Sequence, residues 1–142
     1  CDIRISNQSA TYSLPEINFG FSPDMGATQR LTRAVGAGQA KRLIMTGDFI
    51  SAEEAFRIGL VDFVVPDDEL MEFTKKLAKK IANKPPLAVG VAKKAINLAQ
   101  DTSLSVGLQF EQLGSSFLFC TEDFKEGPKA FFEKRKPNFQ GK

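Results

Sequence analysis

An α/β fold that passes from short strands and loops into a run of helices is what the order of residue types predicts for this 142-residue chain. Three observations carry it. The opening "CDIRIS" alternates Ile3 and Ile5 with Asp2, Arg4 and Ser6, the period of a half-buried strand. From Asp67 onward the apolar residues fall at helical spacing, with Leu70, Phe73, Leu77 and Ile81 on one face. Between the two lie glycine and proline clusters that punctuate the chain. The length suits a hydrophobic core. The expected division is residues 1–66, strand and loop, followed by residues 67–142, helical.

Taken in order, residues 1–21 read as one or two strands with a turn at Asn7-Gln8-Ser9, and residues 22–30 as a loop. "TQRLTRAVGAGQAKRLIMTG" reads as helix, broken into two pieces by Gly36 and Gly38. In "SAEEAFRIGL" Ser51 can accept from the backbone of Glu54 while Glu54 reaches back, a capping box, and Gly59 is placed to end the helix. "VDFVV" at 61–65 is a strand. Acids precede the helix that follows, and Lys79, Lys80 and Lys84 close it, an order that complements the helix dipole. Pro85-Pro86 opens a helix to about Ala99. Two more span roughly Leu104–Cys120 and Glu122–Lys134, with Gly127-Pro128 as a kink.

Composition removes several functions. The net charge of +2 is too small to argue for nucleic acid, and no basic stripe or aromatic platform accompanies it. No run of about 18 apolar residues exists, so no transmembrane helix or membrane partner is expected. The two cysteines, Cys1 and Cys120, do not make a disulfide framework, which favours a reducing, cytoplasmic compartment. There is no histidine. That excludes a histidine-dependent triad within this chain and the commonest zinc ligand, and no metal site is expected. Carboxylates are then the candidate agents of proton transfer. The chain also opens inside a strand pattern without methionine, which suggests the C-terminal part of a longer polypeptide.

The stretch "SLPEINFGFSPDMGATQRL" concentrates the candidates. Glu16 stands between Pro15 and Ile17, near Phe19 and Phe21. Apolar surroundings favour the protonated form of a carboxyl group, which suits a general acid or base; the plainer reading is a solvent-facing glutamate at a strand end. Asp24 in "SPDMG" is either turn chemistry or a second polar group of the same site. Gly20 and Gly26 let the backbone approach a ligand. Ala27–Arg30 opens a helix whose free N–H groups face an anion or a water. In "EKRKPNF" Lys134 or Arg135 can pair with a ligand phosphate or can simply be a solvated helix end. Phe131 and Phe132 beside them pack on a flat ring, in an interface or in the core. Phe110, Phe117, Phe119 and Phe124 are either core or a face docked on a partner.

Taken together, "CDIRIS", "PEINFG", "PDMGATQRLTRAVG", "LIMTGDFISAEEAFRIGLVDFVV" and "FKEGPKAFFEKRKPNF" resemble the crotonase family of enoyl-CoA hydratases and isomerases over the whole chain. The resemblance corresponds to the C-terminal half of a usual member. It implies a crotonase-like α/β fold, a remnant of the ββα superhelix, followed by a C-terminal helical trimerisation region that covers bound CoA. In such hydratases two glutamates flank the substrate's double bond. The resemblance implies that Glu16 is the second, exchanging a proton with the α-carbon. It places the first glutamate, the two N–H donors of the oxyanion hole and most of the CoA surface before Cys1, so the 142-residue chain alone is expected to be inactive.

Many hydratases read "PGAGGTQRL" where this chain reads "PDMGATQRL", so Asp24 stands where glycine is common. An acid near this loop also occurs in double-bond isomerases, which makes isomerase the alternative, followed by other thioester chemistry such as decarboxylation or dehalogenation. The implied substrate is an acyl-CoA thioester, with coenzyme A as part of the substrate and no separate cofactor. Lys134, with Arg135 as second choice, would reach the 3′-phosphate, Phe131 would lie near the adenine or acyl pocket, and Phe19, Phe21 and Met25 would line or back the acyl pocket. A homotrimer, often paired into a hexamer, is the implied assembly. Two other classes stand beside the enzyme: a non-catalytic assembly module, and an anion-binding domain that uses only the basic tail.

Overall fold

The computed structural model describes residues 1–142, which fall into two compact units, Cys1–Lys75 and Lys76–Lys142. It is mixed α/β and mostly helical. In the first unit β1 (Ile5–Asn7) pairs in parallel with β4 (Phe63–Val65), Ile5 opposite Phe63 and Asn7 opposite Val65. A parallel pair needs a long crossover, and the chain between them supplies it. That crossover contains β2 (Thr11–Tyr12), a 3-10 turn (Pro15–Phe19), α1 (Ala27–Thr46), β3 (Ile50–Ser51) and α2 (Ala52–Arg57). β2 and β3 pair antiparallel, Tyr12 opposite Ile50. The core beneath is Leu31, Ala40, Leu43, Ile50, Ala55 and Val61.

Two expectations are corrected here. The inward residue of β1 is Ser6, 3% exposed, whereas Ile3 is 41% exposed. The buried serine is satisfied: its hydroxyl donates to the Asn7 carbonyl at 2.9 Å and accepts from the Tyr12 hydroxyl at 2.7 Å. Residues 15–19 are not strand. Pro15 has no N–H to contribute to a ladder and has the fixed φ of a helical first position. The segment winds into a 3-10 turn closed by Gly20 in the left-handed region, φ 80.

Elsewhere most of the punctuation is where the sequence puts it. Gly36, φ 80 and ψ 159, breaks α1 into two pieces, whereas Gly38 stays helical and breaks nothing. Ser51 caps α2 by accepting from the Glu54 N–H at 3.2 Å. The reciprocal half of the box is replaced, because the Glu54 carboxylate binds Arg42 and Arg57 instead. α3 (Leu70–Ala82) runs across the division between units.

The second unit holds α4 (Pro86–Leu98), α5 (Leu104–Phe119) and α6 (Glu122–Phe132). α4 packs on α5 so closely that a Cβ on Gly114 would stand 2.6 Å from the Val91 side chain. Only Thr121, Asp123 and Ala130 are buried in this unit, while Leu104, Leu113, Phe131 and Phe132 are each more than 70% exposed.

Candidate functional site

Glu16 sits in the first turn of the 3-10 segment. Its Oε2 is shielded from solvent and has no hydrogen-bond partner. The backbone around it is closed on itself: Gly20 N–H donates to the Ile17 carbonyl at 3.2 Å, and Phe21 N–H to the Glu16 carbonyl at 3.4 Å. The turn is tied to the far end of α1. Gly47 ends α1 in the left-handed region, φ 66. Its carbonyl accepts from the Ser13 hydroxyl at 3.1 Å. The Asn18 side chain lies close against Gly47, so that a Cβ there would stand only 2.7 Å from its Nδ2. One glycine therefore touches the chain on both sides of Glu16, which fixes the turn against a helix end.

Asp24 and Met25 lie in the loop just before α1, both exposed, Met25 at 90%. Gly26 is the residue before α1, with φ 85 and no side-chain cap, so the first N–H groups of α1 are not covered by a capping oxygen. Phe19 and Phe21 are 74% and 52% exposed. Glu16, Phe19, Asp24 and Met25 thus share one ten-residue stretch, and its phenylalanines and methionine stand in solvent. A separate cavity of about 420 Å³ in the same unit is lined by Arg4, Tyr12, Arg30 and Leu31 among others, but by neither Glu16 nor Asp24.

Phe131, Lys134 and Arg135 belong to the second unit, at the end of α6. Phe131 is 79% exposed and meets Phe132 edge-on, ring centres 5.8 Å apart. The Arg135 guanidinium grips the Glu126 carboxylate with two nitrogens, 2.5 and 2.8 Å, and donates through Nε to Glu133 at 2.6 Å. Those bonds raise the guanidinium's proton affinity further, Glu126 contributing most, and its bond lowers Glu126 to about 2, helped by the Asn138 N–H. The Lys134 ammonium is exposed and makes no ion pair. Sequence reasoning finds these cations as a cluster and misses what holds them. It also misses Asp123, 4% exposed, whose carboxylate accepts the N–H groups of Gln140 and Gly141 at 2.7 and 2.8 Å. Bonds from a helix to a tail seventeen residues on leave no local pattern to find.

The family model described as enoyl-CoA hydratase/isomerase matches residues 1–142. The chain is 46% identical over 142 residues to the crotonyl-CoA hydratase of Syntrophomonas wolfei, covering all of this chain and 55% of that protein. It is 47% identical over 131 residues to a short-chain-enoyl-CoA hydratase of Clostridioides difficile, covering 92% of this chain and 84% of that sequence. The crystal structure of enoyl-CoA hydratase from Bacillus anthracis superposes with a TM-score of 0.97 at 45% identity, over the whole of this chain and 55% of that one. The chain thus spans about half the length of the Syntrophomonas and Bacillus proteins and most of the Clostridioides sequence.

Proposed function

Since the chain belongs to the enoyl-CoA hydratase/isomerase family and has its crotonase fold, we propose that Glu16 is the proton-transferring carboxylate of a 2-enoyl-CoA hydratase. The acting protein would comprise this chain and the remaining length of its relatives. The observation that carries the reading is the half-buried Glu16 carboxylate itself: shielded and unpartnered at Oε2, on a proline-started turn that the Ser13–Gly47 hydrogen bond and the close approach of Asn18 to Gly47 hold against the end of α1.

Hydration adds water across the double bond conjugated to a thioester. One carboxylate takes a proton from the water; another group exchanges a proton with the α-carbon; charge collects on the thioester oxygen as an enolate. Glu16 serves the α-carbon. A second carboxylate and the N–H pair for the enolate belong to the length of the relatives that this chain does not span. The exposed Phe19, Phe21 and Met25 present apolar surface to the acyl chain, and Lys134 supplies a free cation for the 3′-phosphate of CoA, with Phe131 beside the adenine or acyl group. Coenzyme A enters as part of the substrate, in the degradation of fatty acids or related acyl-CoA thioesters.

Exposed apolar side chains on α5 and α6 support homo-oligomer formation, a trimer or a pair of trimers. Both thiols are free, which fits the cytoplasm, and no helix is long and apolar enough to cross a membrane.

One observation favours the isomerase reading. Asp24 is exposed in the loop between Glu16 and α1 and makes no ion pair, so a second free carboxylate is available to move a proton between carbons. The test is crotonyl-CoA hydration by the full-length protein, followed by loss of enoyl-thioester absorbance. Glu16→Gln is expected to lower kcat by about 10²-fold or more, the scale of a positioned general acid or base. Undiminished hydration by Glu16→Gln refutes the assignment. If the natural protein leaves crotonyl-CoA untouched but shifts the double bond of a 3-enoyl-CoA, the isomerase reading replaces hydratase and Asp24→Asn becomes the decisive variant.

A further inference from the structure

Lys134 is the one residue other than glycine with a left-handed backbone, φ 53. It follows the last residue of the α6 cap. Its N–H donates to the Phe131 carbonyl at 3.2 Å, and the Arg135 N–H reaches back to Ala130 at 3.0 Å. This closure ends many helices, and glycine or asparagine is its ordinary occupant, because a Cβ there crowds the neighbouring carbonyl. A strained residue persists only where its surroundings over-determine it.

The surroundings here are two carboxylates three residues apart on α6. Asp123 accepts the backbone N–H groups of Gln140 and Gly141 and donates its own N–H to the Lys142 carbonyl. Glu126 accepts two guanidinium nitrogens of Arg135 and the Asn138 N–H at 2.8 Å. Ala130, 1% exposed, fixes the chain before Lys134, and Arg135 fixes it after. A Cβ on Gly141 would stand 3.1 Å from Pro86, so the tail also rests on the start of α4. The two acids nearest Lys134 in the chain, Glu126 and Glu133, are both bonded to Arg135. The lysine is left with an exposed ammonium that makes no ion pair, on a backbone held by bonds on either side.

We propose that Asp123 and Glu126 are positioning residues: by clasping residues 135–141 against α6 they hold Lys134 in its left-handed conformation, which sets the direction in which its side chain leaves the turn toward the 3′-phosphate of a CoA thioester. This rests on Lys134 being the phosphate contact of the proposed function. It adds the device that places the lysine, and it commits Arg135 to that device rather than to the ligand. A turn that only stopped the helix would be better served by glycine.

The experiment compares KM of the full-length protein for crotonyl-CoA and for 3′-dephospho-crotonyl-CoA, alongside melting temperature. The natural protein is expected to prefer the phosphorylated substrate by about tenfold or more, the scale of one charge-assisted contact. Glu126→Gln should raise KM for crotonyl-CoA about three- to tenfold while leaving kcat and the dephospho KM within about twofold, since only cation placement changes. Lys134→Gly should abolish the preference and raise the melting temperature by roughly 1–3 °C as backbone strain is relieved.

If Lys134→Gly keeps the preference, the phosphate reading falls and the proposal with it. If Lys134→Gly loses it but Glu126→Gln keeps it, the reading stands and the clasp is overturned. Should Glu126→Gln not fold, the melting temperature of Lys134→Gly decides: a rise with loss of preference supports the proposal, and a fall overturns it.

Discussion

Glu16 and Glu126 both stand on short wound segments, one in each unit, and they are satisfied to opposite degrees. Glu126 binds a guanidinium with both oxygens and a backbone N–H besides; Glu16 keeps one oxygen shielded and unbonded. A saturated carboxylate is locked in its charged form and in its geometry. An under-bonded one has lost water without gaining a partner, and that is a cost a fold bears only for a reason. Asp123 falls with Glu126, its oxygens taken by the tail. The acids at the end of the chain are therefore fasteners, while the acid of the early loop retains a free acceptor for a proton.

Variants that exchange these conditions should have graded effects. The largest is Glu16→Gln, which removes the carboxylate proposed to exchange the proton and should affect turnover without loss of stability. Asp123→Ala comes next, in the opposite sense. It deprives two backbone N–H groups of a buried acceptor and should lower unfolding free energy by about 2–3 kcal/mol, read by urea denaturation. Gly47→Ala should cost about 1–2 kcal/mol from its left-handed backbone. It should also lower kcat, because the new Cβ meets the Asn18 amide on the Glu16 turn; an unchanged kcat would show that the turn tolerates the shift.

The smallest effect is a matter of pH. Glu126 is lowered from 4.5 to about 2 by the Arg135 guanidinium first and the Asn138 N–H second. A depressed carboxyl stabilises the fold fully above about pH 4.5 and loses that contribution as pH falls through about 2. Wild type and Glu126→Gln should therefore differ most above pH 4.5 and converge toward pH 2 in acid unfolding. Added salt should narrow the gap, since the pair is at the surface.

Local signals were legible where one residue type has one physical use. Ser51 before an acid-rich turn caps α2, Gly36 breaks α1, and the lysines of α3 follow its dipole. The 3-10 turn at Pro15–Phe19 was not, because alternating apolar residues after a proline read equally well as strand. The inward face of β1 was not, because its three paired residues are too few for a period to declare itself, and Tyr12 supplies the bond that lets Ser6 go inside. Among the candidate site residues, Glu16 and Lys134 were singled out by the order of motifs. Nothing local marked Gly47, Asp123 or Glu126, whose roles come from partners nine to thirty-four residues away.

The parallel pairing of β1 with β4 has a consequence in time. Arg4 N–H donates to the Asp62 carboxylate across 58 residues, and the Asp62 N–H returns a bond to the Arg4 carbonyl. Ser9 N–H is bound to Asp67 over the same separation. None of these contacts can form until the whole crossover exists, so loop closure must be met before the pairing rewards it. At about 5–20 residues per second of synthesis, β1 waits roughly 3–12 s after its own emergence before its partner is made. During that interval its ladder groups are open to any other strand in reach. The buried hydroxyl of Ser6 and the charges of Asp2 and Arg4 make a poorer template for such mispairing than an unbroken apolar strand would.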